Sequence, residues 1–322
     1  MTHFIIRRLL QNIIVIFLLS FFCYAILNLM PGDPLDIMIS SNPKITSADI
    51  ARLKALYGVD RPLYEKYFNW LRGLLQGDLG YSRTYKVPVE QLILPRLLNT
   101  FVLSFSALFL AILIAIPLGI LAALKKGTKI DYIINMFAFA GISIPSFWLG
   151  IMLMILFAVY LKWLPAGGTS TVEQAHHGIS FLLDRGKYLI LPMLSLMAQQ
   201  MGVFARYARS TMLEVIEEDY IRTARAKGLR YSKIIYVHAF KNALISLITV
   251  VSISFSYIFS GAIITETIFA YQGVGRLVYD SIMSNDFNVA MISFSITIVM
   301  VLAFNLVADI LYAVVDPRIS YK

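Results

Sequence analysis

The chain has 322 residues, of which 58 % are hydrophobic and only 15 % charged, with a formal net charge of +9. Soluble domains run at about 45–50 % apolar and about a quarter charged, so a soluble globule and a disordered chain are both excluded. The one cysteine, Cys23, has no partner for a disulfide framework.

Residues 1–8 form a short head carrying Arg7 and Arg8, followed by an apolar segment at 9–29. A helix crossing the hydrocarbon core needs about 20 mostly apolar residues, which this segment supplies. Two arginines before an apolar run also suit a signal peptide. The run is too long for that, however, and no A-x-A-like cleavage site follows, so it reads as a retained anchor.

Residues 30–97 read as an extracytoplasmic helical cap. Pro31-Gly32-Asp33-Pro34 is a turn signal. Thr46 and Asp49 have capping-box spacing, with Asp in place of the usual Glu or Gln, ahead of a helix over 47–56 that Gly58 stops. A second helix starts at Pro62. It places Tyr64, Tyr67, Phe68, Leu71, Leu74 and Leu75 on one aromatic-rich face. That face packs on the spans or lies in the lipid interface; its functional alternative is a lid over an outer mouth that meets a partner.

Five more spans follow, at 98–121, 132–160, 188–204, 243–264 and 289–314. Continuous apolar runs exclude a β-barrel, whose strands alternate. Ser143, Pro145 and Ser146 interrupt the third span; proline kinks a helix, and a kink facing a pathway suits a gate. Between the third and fourth spans, Trp163 and the Gly167-Gly168 pair suit an interfacial turn. His176 and His177 are adjacent, do not project the same way and predict no metal site. Gln199 and Gln200 are candidates for interhelical hydrogen bonds. Glu266 closes the fifth span on the outer side, where its readings are contact with a partner or the substrate's amino end and, equally, a surface role. Asn305 and Asp309 lie one turn apart on the sixth span. A charge at mid-bilayer costs roughly 2.5–3.5 kcal/mol, so these two read as packing, gating or pathway residues, with direct substrate contact as the alternative. Residues 315–322 form the C-terminal tail.

The loop at 206–242 is the most informative segment. Met212, Ile216, Tyr220 and Ala224 recur every four residues and predict one helical face. Glu214, Glu217, Glu218 and Asp219 precede Arg222, Arg225 and Lys227, the order that complements a helix dipole, and Gly228 supplies a stop. Anionic lipids favour basic faces, so this acidic cluster suits docking on a soluble protein better than lying on headgroups.

Lysine and arginine set the orientation. With a cytoplasmic N-terminus, fifteen of the 28 fall in cytoplasmic pieces, four in the short outer loops and nine in the long first outer segment. Long segments translocate largely regardless of charge. Both termini therefore read as cytoplasmic, and the positive charge needs no nucleic acid to explain it.

Asp219-Tyr-Ile-Arg-Thr-Ala-Arg-Ala-Lys-Gly-Leu229, followed by His238-Ala-x-x-Asn-Ala243, resembles the cytoplasmic loop of ABC importer permeases in its peptide/nickel variant. The general form is Glu-Ala-Ala with a glycine six residues after the Glu; here Arg222, Thr223 and Ala224 occupy the first three places and Gly228 the glycine. Ser246 stands where the general pattern has proline. Similar strings occur along nearly the whole chain: Arg7-Arg8, Pro31-Gly-Asp-Pro34, Gln76-Gly-Asp-Leu-Gly-Tyr-Ser82, Ile142-Ser-Ile-Pro-Ser-Phe-Trp148, Glu266-Thr-Ile-Phe269, Gly273-Val-Gly275 and Asp309-Ile-Leu-Tyr-Ala-Val-Val-Asp-Pro-Arg318. The long first outer loop and short N-terminus resemble the B-type permease of peptide systems.

The resemblance implies an all-α integral membrane protein of the type I ABC importer permease fold. It implies six transmembrane helices, an outer helical cap between spans 1 and 2, an importer transmembrane domain over 98–314 and a cytoplasmic coupling helix between spans 4 and 5. It implies a multi-pass bacterial cell (inner) membrane location, a second homologous C-type permease, two ATPase subunits beneath and an extracytoplasmic substrate-binding protein. Glu217, Asp219, Tyr220, Arg222, Ala224 and Gly228 are then expected to make or shape the ATPase contact. The chain has no G-x-x-x-x-G-K-[ST] string and no nucleophile–base pair. It is therefore expected to be a translocation subunit and no enzyme, binding no cofactor itself, with ATP and Mg on its partners. The substrate implied is a di- or oligopeptide, with nickel or a nickel chelate as the alternative. A stand-alone channel or secondary transporter would carry buried ion-coupling carboxylates or a repeated half. A membrane anchor or sensor would leave the 206–242 loop unexplained.

Overall fold

The computed structural model describes residues 2–29, 61–171, 178–256, 258 and 262–315. The expected turn at Pro31, the capping box at Thr46, the first cap helix with Gly58, the His176-His177 pair and the end of the chain at Arg318 lie outside the described residues.

Besides a single helical turn at Tyr231–Lys233, eleven α-helices order the described residues: α1 Thr2–Asn28, α2 Leu63–Leu75, α3 Val89–Leu124, α4 Lys129–Ser143, α5 Ser146–Met154, α6 Ile179–Glu217, α7 Asp219–Ala226, α8 Phe240–Ser256, α9 Ile263–Ile268, α10 Val274–Met283 and α11 Phe287–Val315. A π-helical stretch, Ile155–Tyr160, continues α5, and another, Ile234–Ala239, leads into α8. The only bridge between extended segments among the described residues joins Tyr81 and Pro88.

Four helices are each long and apolar enough to cross a membrane, within α1, α3, α6 and α11. Two bent helix pairs pass the same length and apolarity test together, so the described residues hold up to six candidate spans when each pair counts as one. The third expected span is no single kinked helix: α4 and the segment Ser146–Tyr160 meet at 101°. Pro145 disfavours helical backbone at the residue before it, and Ile144 is extended with ψ 123°. Pro145, which lacks an N–H, then heads the next helix at no cost in hydrogen bonds. The fourth expected span, 188–204, is the middle of the longer α6. The fifth bends by 43° between Leu244 and Ser246, where Ser246 replaces the proline of the general motif.

The described residues fall into two compact units, one drawn from within 96–276 and 300–315 and the other from within 2–95 and 277–299. In the second unit α2 starts after Pro62 as expected, and Tyr67 is its fully buried anchor. The Tyr67 hydroxyl and Ser20 Oγ are 2.7 Å apart, and the rings of Phe21, Tyr24 and Trp70 surround Tyr67. This supports the packing reading of the aromatic face, although Tyr64, Phe68 and Leu75 stay exposed. The Gly77–Ser82 string also has a local role. Asp78 Oδ1 accepts the Gly80 N–H at 2.9 Å, and Ser82 Oγ donates to the buried Asp286 carboxylate at 2.7 Å.

In the first unit α4 and α6 touch backbone to backbone. A Cβ on Gly141 would stand 2.4 Å from the Ala198 carbonyl oxygen, and one on Gly202 would stand 2.3 Å from that of Ala138. Small residues of this kind let membrane helices approach closely, and the packing is mainly van der Waals.

Candidate functional site

The expected loop helix is two helices. α6 runs to Glu217; Glu218 then takes extended backbone (φ −66°, ψ 148°), and α7 begins at Asp219. The break shifts the helical frame. The face predicted by Met212, Ile216, Tyr220 and Ala224 therefore does not continue through the loop. Met212 and Ala224 are buried, but Tyr220 is 42 % exposed and Ile221 takes the inward place at 0 %. Ile221 and Ala224 pack with Met212, Ala123, Ile234, Ile235 and Ala239, with Ile216 and Leu229 at the margin. Burial first, and then the Glu218 charge, raises the Tyr220 phenol above its ordinary 10.

At 100° per residue, seating Ile221 and Ala224 inward turns Asp219, Arg222, Thr223 and Ala226 outward, and all four are exposed. Asp219 sits in the first turn and Arg225 in the last, which suits the helix dipole. Arg222 pairs with Asp219 at 3.1 Å. Glu217, at the end of α6, pairs with Lys126 at 3.7 Å, and both side chains are well exposed.

Gly228 ends α7 as expected. Its φ of +73° lies in the left-handed region. Its N–H bonds the Arg225 carbonyl at 2.9 Å, and the Leu229 N–H bonds the Ala224 carbonyl at 3.3 Å. These are the two bonds of a Schellman stop, and Leu229 adds the hydrophobic contact that accompanies one.

Sequence reasoning missed a polar cluster at the foot of α4. Arg209 grips Asp131 with two parallel bonds, Nε to Oδ1 at 2.7 Å and Nη2 to Oδ2 at 2.9 Å. Asn135 Nδ2 donates to Oδ1 at 2.6 Å and the Gly127 N–H to Oδ2 at 3.0 Å. The signal available was an acid at the head of an apolar run, which in a membrane helix demands a partner.

The remaining predicted residues lie on other elements. Ser143 ends α4, Pro145 caps α5, and the Ser146 carbonyl accepts a bond from Ser195 Oγ of α6 at 2.7 Å. Asn305 and Asp309 are half-buried on α11. The surface role expected for Glu266 is corrected: within this chain it has no exposed surface. Thr100 Oγ1 donates to its Oε1 at 2.6 Å and the Arg276 N–H to its Oε2 at 3.0 Å. Gly273 lies so close that an added Cβ would meet the carboxylate at 2.2 Å. The Gly273-Val-Gly275 string thus makes room for a buried acid. Burial outweighs the hydrogen bonds from Thr100 and the Arg276 and Gly275 backbone and pushes the Glu266 carboxyl up to about 7 from its ordinary 4.5.

The family model described as "Binding-protein-dependent transport system inner membrane component" matches residues 115–321, and its N-terminal companion matches residues 1–104. The "Oligopeptide transport system permease protein AppB" of Bacillus subtilis (strain 168) is 40 % identical over the full length of both chains. The "Dipeptide transport system permease protein DppB" of Escherichia coli (strain K12) is 35 % identical, again over 100 % of each. The "Di/tripeptide transport system permease protein DppB" of Pseudomonas aeruginosa (strain UCBPP-PA14) is 36 % identical with the same coverage. Among solved structures, a chain of the MetNI methionine ABC transporter in its inward-facing conformations matches with a TM-score of 0.56 and 18 % identity, covering 71 % of this chain and 98 % of that one. At this identity the likeness shows the fold alone. With two family models end to end along it and full-length relatives above 30 % identity, the chain belongs to the binding-protein-dependent transport system inner membrane components.

Proposed function

We propose that this chain is a permease subunit of an ATP-driven ABC importer for di- or oligopeptides. It pairs with a second, homologous permease, sits on two ATPase subunits that hold ATP and Mg, and receives its cargo from an extracytoplasmic binding protein. Both termini and α7 face the cytoplasm of a bacterial cell, an orientation that the lysine and arginine distribution supports. The names of the full-length relatives favour peptides over nickel.

The observation that carries this reading is α7. An eight-residue helix is too short to persist alone in water. Here it is pinned by two buried side chains, closed by a Schellman stop, and left with a polar outer face. That is the form of a docking element: Asp219, Arg222 and the exposed edge of Tyr220 present the contact, while Ala224 and Gly228 set its posture. Glu217 supplies a charge at the rim. On ATP-driven closure the ATPases push on α7, and α6 carries the push into the membrane. Ser143, Pro145 and Ser146 at the break, with Asn305 and Asp309 on α11, are proposed to gate or line the pathway. A ligand shifts such an alternation only if its affinity differs between the two states.

Mass spectrometry of the complex purified from native membranes in mild detergent tests the reading. A second six-span permease and two ATPases should copurify. Recovery of this chain alone, able to conduct solute in liposomes without ATP, would overturn it.

A further inference from the structure

The break between α4 and α5 raises a mechanical question. A helix with a 101° bend cannot transmit a push along its own axis, so motion at α7 must reach α5 by another route. α6 supplies one, because it is fastened to the third span at three levels. Beyond the break, Ser195 Oγ holds the Ser146 carbonyl at 2.7 Å. In the middle, Gly141 lies on Ala198 and Gly202 on Ala138. At the foot, about two turns before α6 ends, Arg209 holds Asp131.

These fastenings differ in kind. The glycine contacts bring the two backbones close but are non-directional, and small-residue interfaces resist sliding only through van der Waals fit. The foot is directional: a guanidinium fork on a carboxylate fixes distance, plane and axial register together. The same carboxylate is held from its own side by Asn135 Nδ2 and by the Gly127 N–H. Gly127 belongs to the turn joining α3 to α4, so the fork also grips that turn. The Asp131 side chain is only 5 % exposed, and all its bonds are made within the chain, which leaves it free of any need for a ligand.

We propose that Asp131 and Arg209 are positioning residues that lock the broken third span to α6, so that a displacement delivered at α7 moves α4 and α5 as one body with it. The proposal rests on the importer reading above. Peptide chemistry and ATP chemistry take place elsewhere; the pair contributes register alone.

The test uses the complete complex with its binding protein in proteoliposomes and reads ATP hydrolysed per radiolabelled trialanine imported. Asp131→Asn removes the charge and keeps the shape; Arg209→Lys keeps the charge and removes the fork. Both should leave ATP hydrolysis within about twofold and raise ATP consumed per peptide by about tenfold, within the usual span of coupling effects. A purely structural role moves uptake and hydrolysis down together, and that result, or no change in either, would overturn the proposal.

A second measurement leaves the pair intact. Spin labels at Lys129→Cys and Tyr207→Cys, in a Cys23→Ser background, report the α4–α6 separation with and without trapped nucleotide. The distance should stay constant. A change larger than the roughly 1–2 Å of ordinary helix shifts would overturn the proposal even if the substituted complexes fail to assemble. If the unmodified complex shows no ATP-dependent uptake, the importer reading fails and takes this proposal with it.

Discussion

Ile221→Ala should release α7 from its seat. Ile221 is fully buried among Met212, Ile234 and Ile235, and Ala224 is the other inward anchor of an eight-residue helix. Truncating a buried isoleucine to alanine costs about 2–5 kcal/mol, counting lost transfer energy and the cavity left behind. Helices shorter than about 12 residues are marginal without packing, so most of that loss falls on the docked helix. Even the lower figure reduces the docked-to-undocked ratio by about 30-fold. Hydrogen–deuterium exchange at the amides of residues 222–229 reads this ratio directly. Exchange should accelerate by at least that factor in Ile221→Ala, while Thr223→Ala, on the outer face, should change it little, since exposed substitutions stay within about 0.5 kcal/mol. Equal protection in Ile221→Ala and the unsubstituted chain, or equal acceleration in both variants, would refute the assignment of inner and outer faces.

Other predictions follow the same reasoning. Gly228→Ala places a Cβ at a φ of +73°, costing about 1–2 kcal/mol; it should loosen the Schellman stop and weaken ATPase retention during gel filtration, with Gly228→Asn milder. Gly202→Leu forces atoms into the 2.3 Å approach to the Ala138 carbonyl and should cost at least about 1–3 kcal/mol, read as a lower melting temperature in detergent. Glu266 gives a pH signature. Its folded pKa of about 7 lies above the ordinary 4.5, so between those values the folded state holds a proton that the unfolded state has lost. Its contribution is fully present below about pH 4.5, falls as pH rises through 7 and is then flat. The melting temperature should therefore decline between pH 5 and 8, and the decline should shrink in Glu266→Gln, whose amide cannot ionise. A decline of unchanged size in that variant would remove Glu266 as its source.

The membrane class and the apolar runs behind its four to six candidate spans were legible because hydrophobic run length carries them. Gly228 and Pro62 were legible because their backbone constraints act locally. The break at Glu218 was not: Glu214, Glu217, Glu218 and Asp219 read as one acidic stretch, and only the packing of Ile221 against Ile234 and Ile235 shows where the frame restarts. The size of the bend at Ile144 was likewise hidden, since proline signals a perturbation but its angle depends on what Ser146 and Gly150 meet on α6. Glu266 read as an end-of-span acid for a partner, the substrate or the surface, and its burial was hidden because its partner Thr100 is far away in sequence. Asp131 and Arg209 are separated by 78 positions, so their pairing had no local signal, although an acid heading an apolar run was itself a clue.

The central claim is that α7 couples ATP hydrolysis in partner subunits to peptide entry through this chain. Its most direct test is uptake of radiolabelled trialanine into proteoliposomes holding the complete complex, with its binding protein outside and ATP within, for the unsubstituted chain and for Arg222→Glu, which reverses a charge on the outer face of α7. The account predicts ATP-dependent accumulation that the substitution abolishes while the chain still pairs with its second permease. Accumulation without ATP, or accumulation indifferent to the reversed charge, would contradict it.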